Sequence, residues 1–311
     1  MHTRGVAAIC VLMIWSSFLQ AGAQTQHLAP RLGYPADAKL LIIHADDLAV
    51  SHAQDMASFE ALNKGAVSSA SIMVPCPWLT EVADYAKAHP EADLGLHLTL
   101  TSEWKTYRWG PYAPRDQVPS LLDPQGYLFA DARDAARQIK PEEAEREVRA
   151  QVETALKLGI HPTHLDSHMG TLFTKPAMVA VLARVAHDYH LPFLMMKFPG
   201  VPPDMYAALN STDVLLDRVF MAAPPIKPDE WLSYYTRILK NLPPGVSELI
   251  VHLAYDDAEM QAVTVDHPDY GSAWRQRDFN VVTSPEFRQV LKENNIVLLT
   301  WRELGKLLPK P

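Results

Sequence analysis

Two adjacent carboxylates, Asp46 and Asp47, and four dispersed histidines, His97, His164, His168 and His252, are the residues whose types could do chemistry together. Two imidazoles and one carboxylate make a three-ligand site for a divalent cation that leaves room for water. A second carboxylate beside it could take the water proton, and a further histidine could protonate a leaving amine. That is the chemistry of metal-assisted hydrolysis. Two blander readings compete with it. Asp46-Asp47 could simply cap the next helix, and a lone histidine in an apolar strand is more often a hydrogen-bonded core residue. Convergence separates these readings, so the elements that carry the residues matter.

Residues 40–51, LLIIHADDLAVS, run from an apolar stretch into the Asp pair. Such a run reads as a strand buried on both faces, with the carboxylates at its C-terminal end. Open α/β sheets and β/α barrels place their chemistry there. Adjacent residues leaving a strand point in different directions, so one Asp can face a cation and the other a substrate. Further along, residues 54–64 predict a helix ended by Gly65, 66–74 a strand, 78–89 a helix, and 93–100 a strand holding His97. Residues 141–158 predict a helix with Pro141 at its start and Gly159 after it. The stretch HPTHLDSH, 161–168, reads as a strand and its exit. Residues 176–189 predict a helix, 191–196 a strand, 229–242 a helix, 247–254 a strand holding His252, 284–294 a helix, 296–300 a strand and 302–308 a closing helix. This alternation predicts a parallel β/α architecture, in which all the strand ends face one mouth.

Two stretches break the alternation: about 101–140, dense in aromatic residues that include Trp104 and Trp109, and about 199–228, rich in proline. The first follows a strand bearing a candidate ligand and reads as a binding loop whose aromatics could stack on sugar rings; packing of the loop is the competing account. Residues 256–281 read as loop, with Asp257, His267, Tyr270, Trp274 and Arg275 in it.

The formal charge of −8, without a basic block, argues against nucleic acid and anionic membranes as partners. The N-terminus carries Arg4, an apolar run over 6–19 and Ala21-Gly22-Ala23, the pattern of a secretory signal peptide cut before Gln24. The run is short for a membrane span, so no stable membrane anchor is expected and the protein is expected to be periplasmic or secreted. After cleavage Cys76 would be the one remaining cysteine, more in keeping with packing than with a nucleophile. No nucleophile elbow, phosphate loop or dinucleotide fingerprint is present, which disfavours covalent Ser or Cys catalysis and nucleotide chemistry. The expected domains are a signal peptide over 1–23, a linker over 24–39 and one β/α-barrel domain over 40–311.

HADDLAVS, GAVSSASIMV, DLGLHLTLT, HPTHLDSH and a histidine on a late strand, in this order over about residues 40–304, resemble the YdjC/ChbG family of carbohydrate deacetylases, a group that includes the HpnK-like proteins. The resemblance implies a polysaccharide-deacetylase-like, distorted or incomplete TIM-like β/α barrel and one divalent metal ion, Mg2+ or Zn2+. It implies Asp47, His97 and His168 as metal ligands, Asp46 as general base, and His252 as acid or oxyanion partner. His164, Asp166, Trp104, Trp109, Arg275 and Asp278 would bind or orient the substrate and these groups. The implied activity is removal of N-acetyl groups from a carbohydrate. Hydrolysis of another amide or ester, or glycan binding without turnover, are the alternatives. The family commonly reads NADDFG where this chain has His44-Ala-Asp-Asp-Leu-Ala49, which predicts a different turn after the Asp pair. Further histidines often follow DSH in the family, where this chain has Met169 and Gly170.

Overall fold

The first strand, β1 (Lys39–Leu48), is buried at every residue but the first. Its side chains alternate between two cores. Leu40 and Ile42 point into one small cluster with Val246, Ile250 and Trp301, whereas Leu41, Ile43 and Ala45 belong to the large cluster under the helices. Six further strands, β2 (Ser69–Ile72), β3 (Leu94–Leu98), β4 (Leu165–Ser167), β5 (Arg218–Met221), β6 (Gly245–His252) and β7 (Ile296–Leu298), join β1 in one sheet. The computed structural model describes residues 28–196 and 200–309. The order is β4-β3-β2-β1-β6-β5, every pairing is parallel, and β7 lies on the first three residues of β1.

Between β4 and β5 the ladder is interrupted. Residues 191–196, expected to form a strand, cross this seam with single bridges only, Phe193 to Leu165 and Met196 to Leu216. Leu194 N–H donates to Leu165 O (2.8 Å) and Leu216 N–H to Met195 O (2.9 Å). The result is the distorted, incomplete β/α barrel that the family resemblance implied.

The helices His52–Asn63, Leu79–Ala88, Pro141–Lys157, Pro176–Asp188, Trp231–Lys240 and Pro285–Glu293 fall where periodicity puts them. Elsewhere the expectations need correction. Residues 28–38, read as linker, are part of the fold: Leu28–Arg31 form one helical turn, and Leu28 is fully buried against the barrel floor with Trp301 and Leu304. The insertion 101–140 contains a helix, Ala132–Gln138, and the insertion 199–228 contains β5. The supposed loop 256–281 holds two helices, Ala258–Val263 and Ser272–Val282. Residues 1–23, expected to form a signal peptide, lie outside the described residues. Among the described residues, no helix is long and apolar enough to cross a membrane. Cys76 is buried.

The turn after the Asp pair answers two questions. The helix His52–Asn63 is capped by Ser51, whose hydroxyl accepts from Gln54 N–H at 3.1 Å. Asp46 and Asp47 are therefore free for other work. Ala49, where the resemblance expects glycine, nevertheless keeps a left-handed φ of 77°. This turn is held by Asp55 Oδ1, which accepts from Ala49 N–H (2.6 Å), and by Ala49 O, which accepts from Trp78 N–H (3.0 Å). A Cβ in that conformation is strained, and only part of the relief is offset by glycine's freedom in the unfolded chain. Ala49→Gly is expected to raise the unfolding free energy by about 0.5–1 kcal/mol, read from urea midpoints with unchanged slope.

Candidate active site

Register builds the site. β1 sets Asp46 beside His252 of β6, and β3 sets His97 beside Asp166 of β4. Asp47 follows Asp46 with a left-handed φ of 72°, a conformation Asp tolerates better than most residues, and so points elsewhere. His168 enters at the start of the 3-10 turn His168–Phe173 that leaves β4.

Three of these side chains meet at one oxygen. Asp47 Oδ1 lies 3.3 Å from His97 Nε2 and 3.3 Å from His168 Nδ1. That oxygen is buried and has no hydrogen-bond partner. The other atom of each group is already held: Asp47 Oδ2 accepts from Arg275 Nη2 (2.8 Å), His97 Nδ1 pairs with Asp166 Oδ1 (2.7 Å), and His168 Nε2 pairs with Glu103 Oε2 (2.9 Å). Ring nitrogens backed by carboxylates are the usual setting of metal-binding histidines. An orphaned carboxylate oxygen facing two such imidazoles fits a divalent cation. Two other groups have comparable spacing among the described residues, His44/His164/Asp166 and Asp46/His97/Asp166. They fit less well. Asp166 Oδ1 is already engaged by His97, and His44 and His164 are sealed from the cavity.

Asp46 sits beside this trio. Its Oδ1 is 3.1 Å from His44 Nε2, and its Oδ2 faces His97 Nε2 (3.7 Å) and His252 Nε2 (3.9 Å). Burial pushes the His252 imidazole down to about 4, with Arg275 adding to the effect against the opposing pull of Asp47. Burial likewise drives Asp278 up to about 6, although Tyr235 O–H (2.6 Å) and Trp231 Nε1–H (2.7 Å) both donate to it. Asp278 Oδ2 accepts from the backbone N–H of His252 at 3.1 Å, so this residue orients the end of β6. Arg275 is held by Gln54 and Tyr270 O as well as Asp47, and orients the ligand carboxylate.

Beneath the site a column of buried ionisable groups fills the barrel. His44 Nε2 lies between Asp46 Oδ1 (3.1 Å) and Asp166 Oδ2 (3.2 Å), and Ser69 holds its Nδ1. Burial opposes its charge, but Asp166 and Asp46 outweigh that and raise its pKa well above the usual imidazole value. Glu248, one layer below and bonded to Trp301 Nε1 (2.8 Å), is driven by burial up to about 8. A carboxyl whose folded pKa exceeds its unfolded value near ~4.3 favours folding relative to high pH only while it stays protonated. Its cost is absent below the unfolded pKa and complete above about 8. Glu248→Gln is therefore expected to gain stability relative to the parent, by a few kcal/mol, as pH rises from 5 to 8; parallel stability curves across that range would overturn the assignment.

Three expectations about substrate contacts change. His164 is fully buried, stacked on Trp301 (5.0 Å between centroids), and does not reach the cavity. It packs over Gly95, where a Cβ would come within 2.3 Å of its ring. Trp109 is buried, its Nε1–H spent on Thr101 O (2.8 Å), and it forms the loop's own core rather than a sugar platform. Trp104 lines the cavity, although it too is almost entirely buried, with the Arg275 guanidinium over its ring at 5.5 Å. The aromatic insertion thus folds on itself because Trp104, Tyr107 and Trp109 pack edge to face. Asp166 stands behind His97 as an orienting group, out of reach of the cavity.

Residues 40–293 match the family described as YdjC-like protein. The chain belongs to that family. It is 35% identical over 287 residues to the carbohydrate deacetylase of Thermus thermophilus, covering 90% of this chain and 99% of that one. The chitooligosaccharide deacetylase of Yersinia enterocolitica is 25% identical over 260 residues, 82% of this chain and 95% of the relative. A crystal structure from Enterococcus faecalis V583, described as a candidate cellobiose-phosphate cleavage protein, superposes with a TM-score of 0.71 at 26% identity, over 86% of this chain and 99% of that one.

Within this YdjC-like chain, sequence reasoning missed Glu103 and His44. Glu103 lies in the irregular stretch after β3, and only the fold brings it to His168. His44 sits within the motif itself, but its place between two carboxylates depends on the register of β1 against β2 and of β3 against β4. Met169 and Gly170, standing where the family often has histidine, both adopt left-handed φ (52° and 64°) and line the cavity.

Proposed function

We propose that this YdjC-like chain is an exported, metal-dependent carbohydrate deacetylase. The observation that carries the reading is the orphaned Asp47 Oδ1 facing His97 and His168, with a second, differently held carboxylate, Asp46, beside it. Asp47, His97 and His168 would hold a divalent cation, which would supply Lewis-acid polarisation of the acetyl carbonyl and of water. Asp46 is the general base: it takes a proton from the water whose oxygen bonds the carbonyl carbon. His252, neutral at pH 7, offers an N–H to the carbonyl oxygen as charge develops there, and Asp46 passes the captured proton to the leaving nitrogen as the C–N bond breaks. Arg275 and Asp278 hold Asp47 and His252 in place. The names of the relatives favour an acetyl group on a carbohydrate as the target.

The two-nitrogen, one-oxygen donor set suits zinc or cobalt better than magnesium. The test is acetate release from N- and O-acetylated sugars after chelation and metal restoration. Chelation is expected to abolish release, and Zn2+ or Co2+ to restore it at lower concentration than Mg2+. Undiminished turnover in excess chelator, with no metal in the protein by mass spectrometry, would sink the reading. Export rests on residues 1–23, and N-terminal sequencing of the secreted chain is expected to begin at Gln24.

A further inference from the structure

The candidate site opens into a cavity of about 490 Å³, and its wall is divided by chemistry. The acidic, basic and imidazole side chains on it come from the ends of β1, β3 and β6, from Glu103 after β3, from His168 at the exit of β4, and from His267 and Arg275. The opposite wall runs along the seam between β4 and β5. There Met169, Phe173, Met195, Met196, Met205 and Met221 line it, together with further aliphatic residues. Among the described residues that line the cavity, Tyr206 and Tyr270 carry hydroxyls, and no Asn, Gln, Ser, Thr or Lys occurs. Met169 and Met221 are 44% and 41% exposed, which carries the apolar surface out to the mouth.

A sugar ring placed against the methionine side chains would bury hydroxyl groups where thioethers offer only weak acceptors, and each unpaired group costs free energy. An aliphatic chain has no such cost. The flexible thioethers of methionine adapt to chains of varied shape. The volume is in the range of whole ligand pockets, far more than the methyl of an acetyl group needs. The seam also explains why the space exists: with no regular strand between β4 and β5, side chains from the turn after β4, from residues 194–196 and from the 199–228 insertion form much of the wall.

We infer that the substrate carries an aliphatic chain attached to its amino sugar, and that the methionine wall binds this chain. The inference rests on the deacetylase reading for the sugar and the amide, and on the cavity alone for the chain. The chain could sit on the nitrogen as a longer acyl group or on the anomeric oxygen as an aglycone; the chemistry recognised is the same.

The experiment compares kcat/KM for the metal-loaded full chain along two series. One is N-acyl glucosamines from acetyl to octanoyl, and the other alkyl glycosides of N-acetylglucosamine from methyl to octyl. The expected result is a rise of about fourfold per methylene in one series, the ratio that ~0.8 kcal/mol per buried CH2 gives. The climbing series identifies the chain's position. Met196→Gln and Met221→Gln are expected to lower the ratio of octyl or octanoyl to the shortest member by at least tenfold. Flat or falling values in both series, with the shortest members hydrolysed, would overturn the inference and leave the deacetylase reading standing. If no amide in either series is hydrolysed, the deacetylase reading fails instead. Calorimetry with n-octyl glucoside, which has no amide, then decides the cavity: binding weakened by Met221→Gln supports the apolar subsite, and absence of binding overturns it.

Discussion

Asp46→Asn is expected to lower acetate release by about 10²- to 10⁴-fold, the contribution of a positioned general base, while metal content stays near one ion per chain. The geometry separates the two neighbouring carboxylates. Asp47 has one oxygen committed to Arg275 and the other left bare before two imidazoles. Asp46 has one oxygen against His44 and the other turned to the space between His97 and His252. Asparagine keeps the shape and removes the basicity. A variant that loses its metal but hydrolyses normally when metal is supplied in excess would show the roles of the two residues exchanged.

The second large effect concerns Asp47→Ala. Metal binding and turnover should both disappear, and stability should fall as well. Arg275 is 2% exposed, and its partner carboxylate is what compensates the burial of its charge. Removing one member of such a buried pair costs about 3–5 kcal/mol, because the remaining ion is left without a counter-charge. For a chain of this size that is a fall in Tm of roughly 10 °C. The double variant Asp47→Ala/Arg275→Met should regain much of the stability and none of the activity, a coupling that a thermodynamic cycle measures directly. A single variant as stable as the parent would refute the charge-pair account.

The strands that carry chemistry were legible for different reasons: β1 as an apolar run ending in polar residues, β3 by its alternation, and β6 by the run Leu249–Val251. The Asp pair, His97, His168 and His252 stand at or near the ends of strands, and the fold brings them to one mouth. What escaped had a physical cause. The helix Ser272–Val282 buries Ser272, Arg275 and Asp278 along with Trp274 and Phe279, so polar groups serving the site interrupt its apolar period. β5 is only partly buried and just four residues long, among prolines, so neither alternation nor an apolar run marks it. The helix Ala132–Gln138 buries a single residue, Ala135, and offers no stripe. The Trp109 assignment failed because an aromatic residue that closes a loop and one that stacks on a ligand are the same letter; the indole N–H bonded to Thr101 O distinguishes them only once the loop is folded.

The interrupted seam gives this molecule a division of labour that can be inherited piecemeal. The groups that would break the bond stand on or beside regularly paired strands, where a shift of one residue turns every side chain to the wrong face. The wall that would choose the leaving or departing group belongs largely to residues 194–196, 201–206 and 218–221, bound to the ladder through single bridges or at its edge. Selection can therefore recut that wall, lengthening or exchanging its segments, without disturbing the register that holds the reaction. Descendants of one such barrel would keep a common chemistry while drifting apart in what they consume.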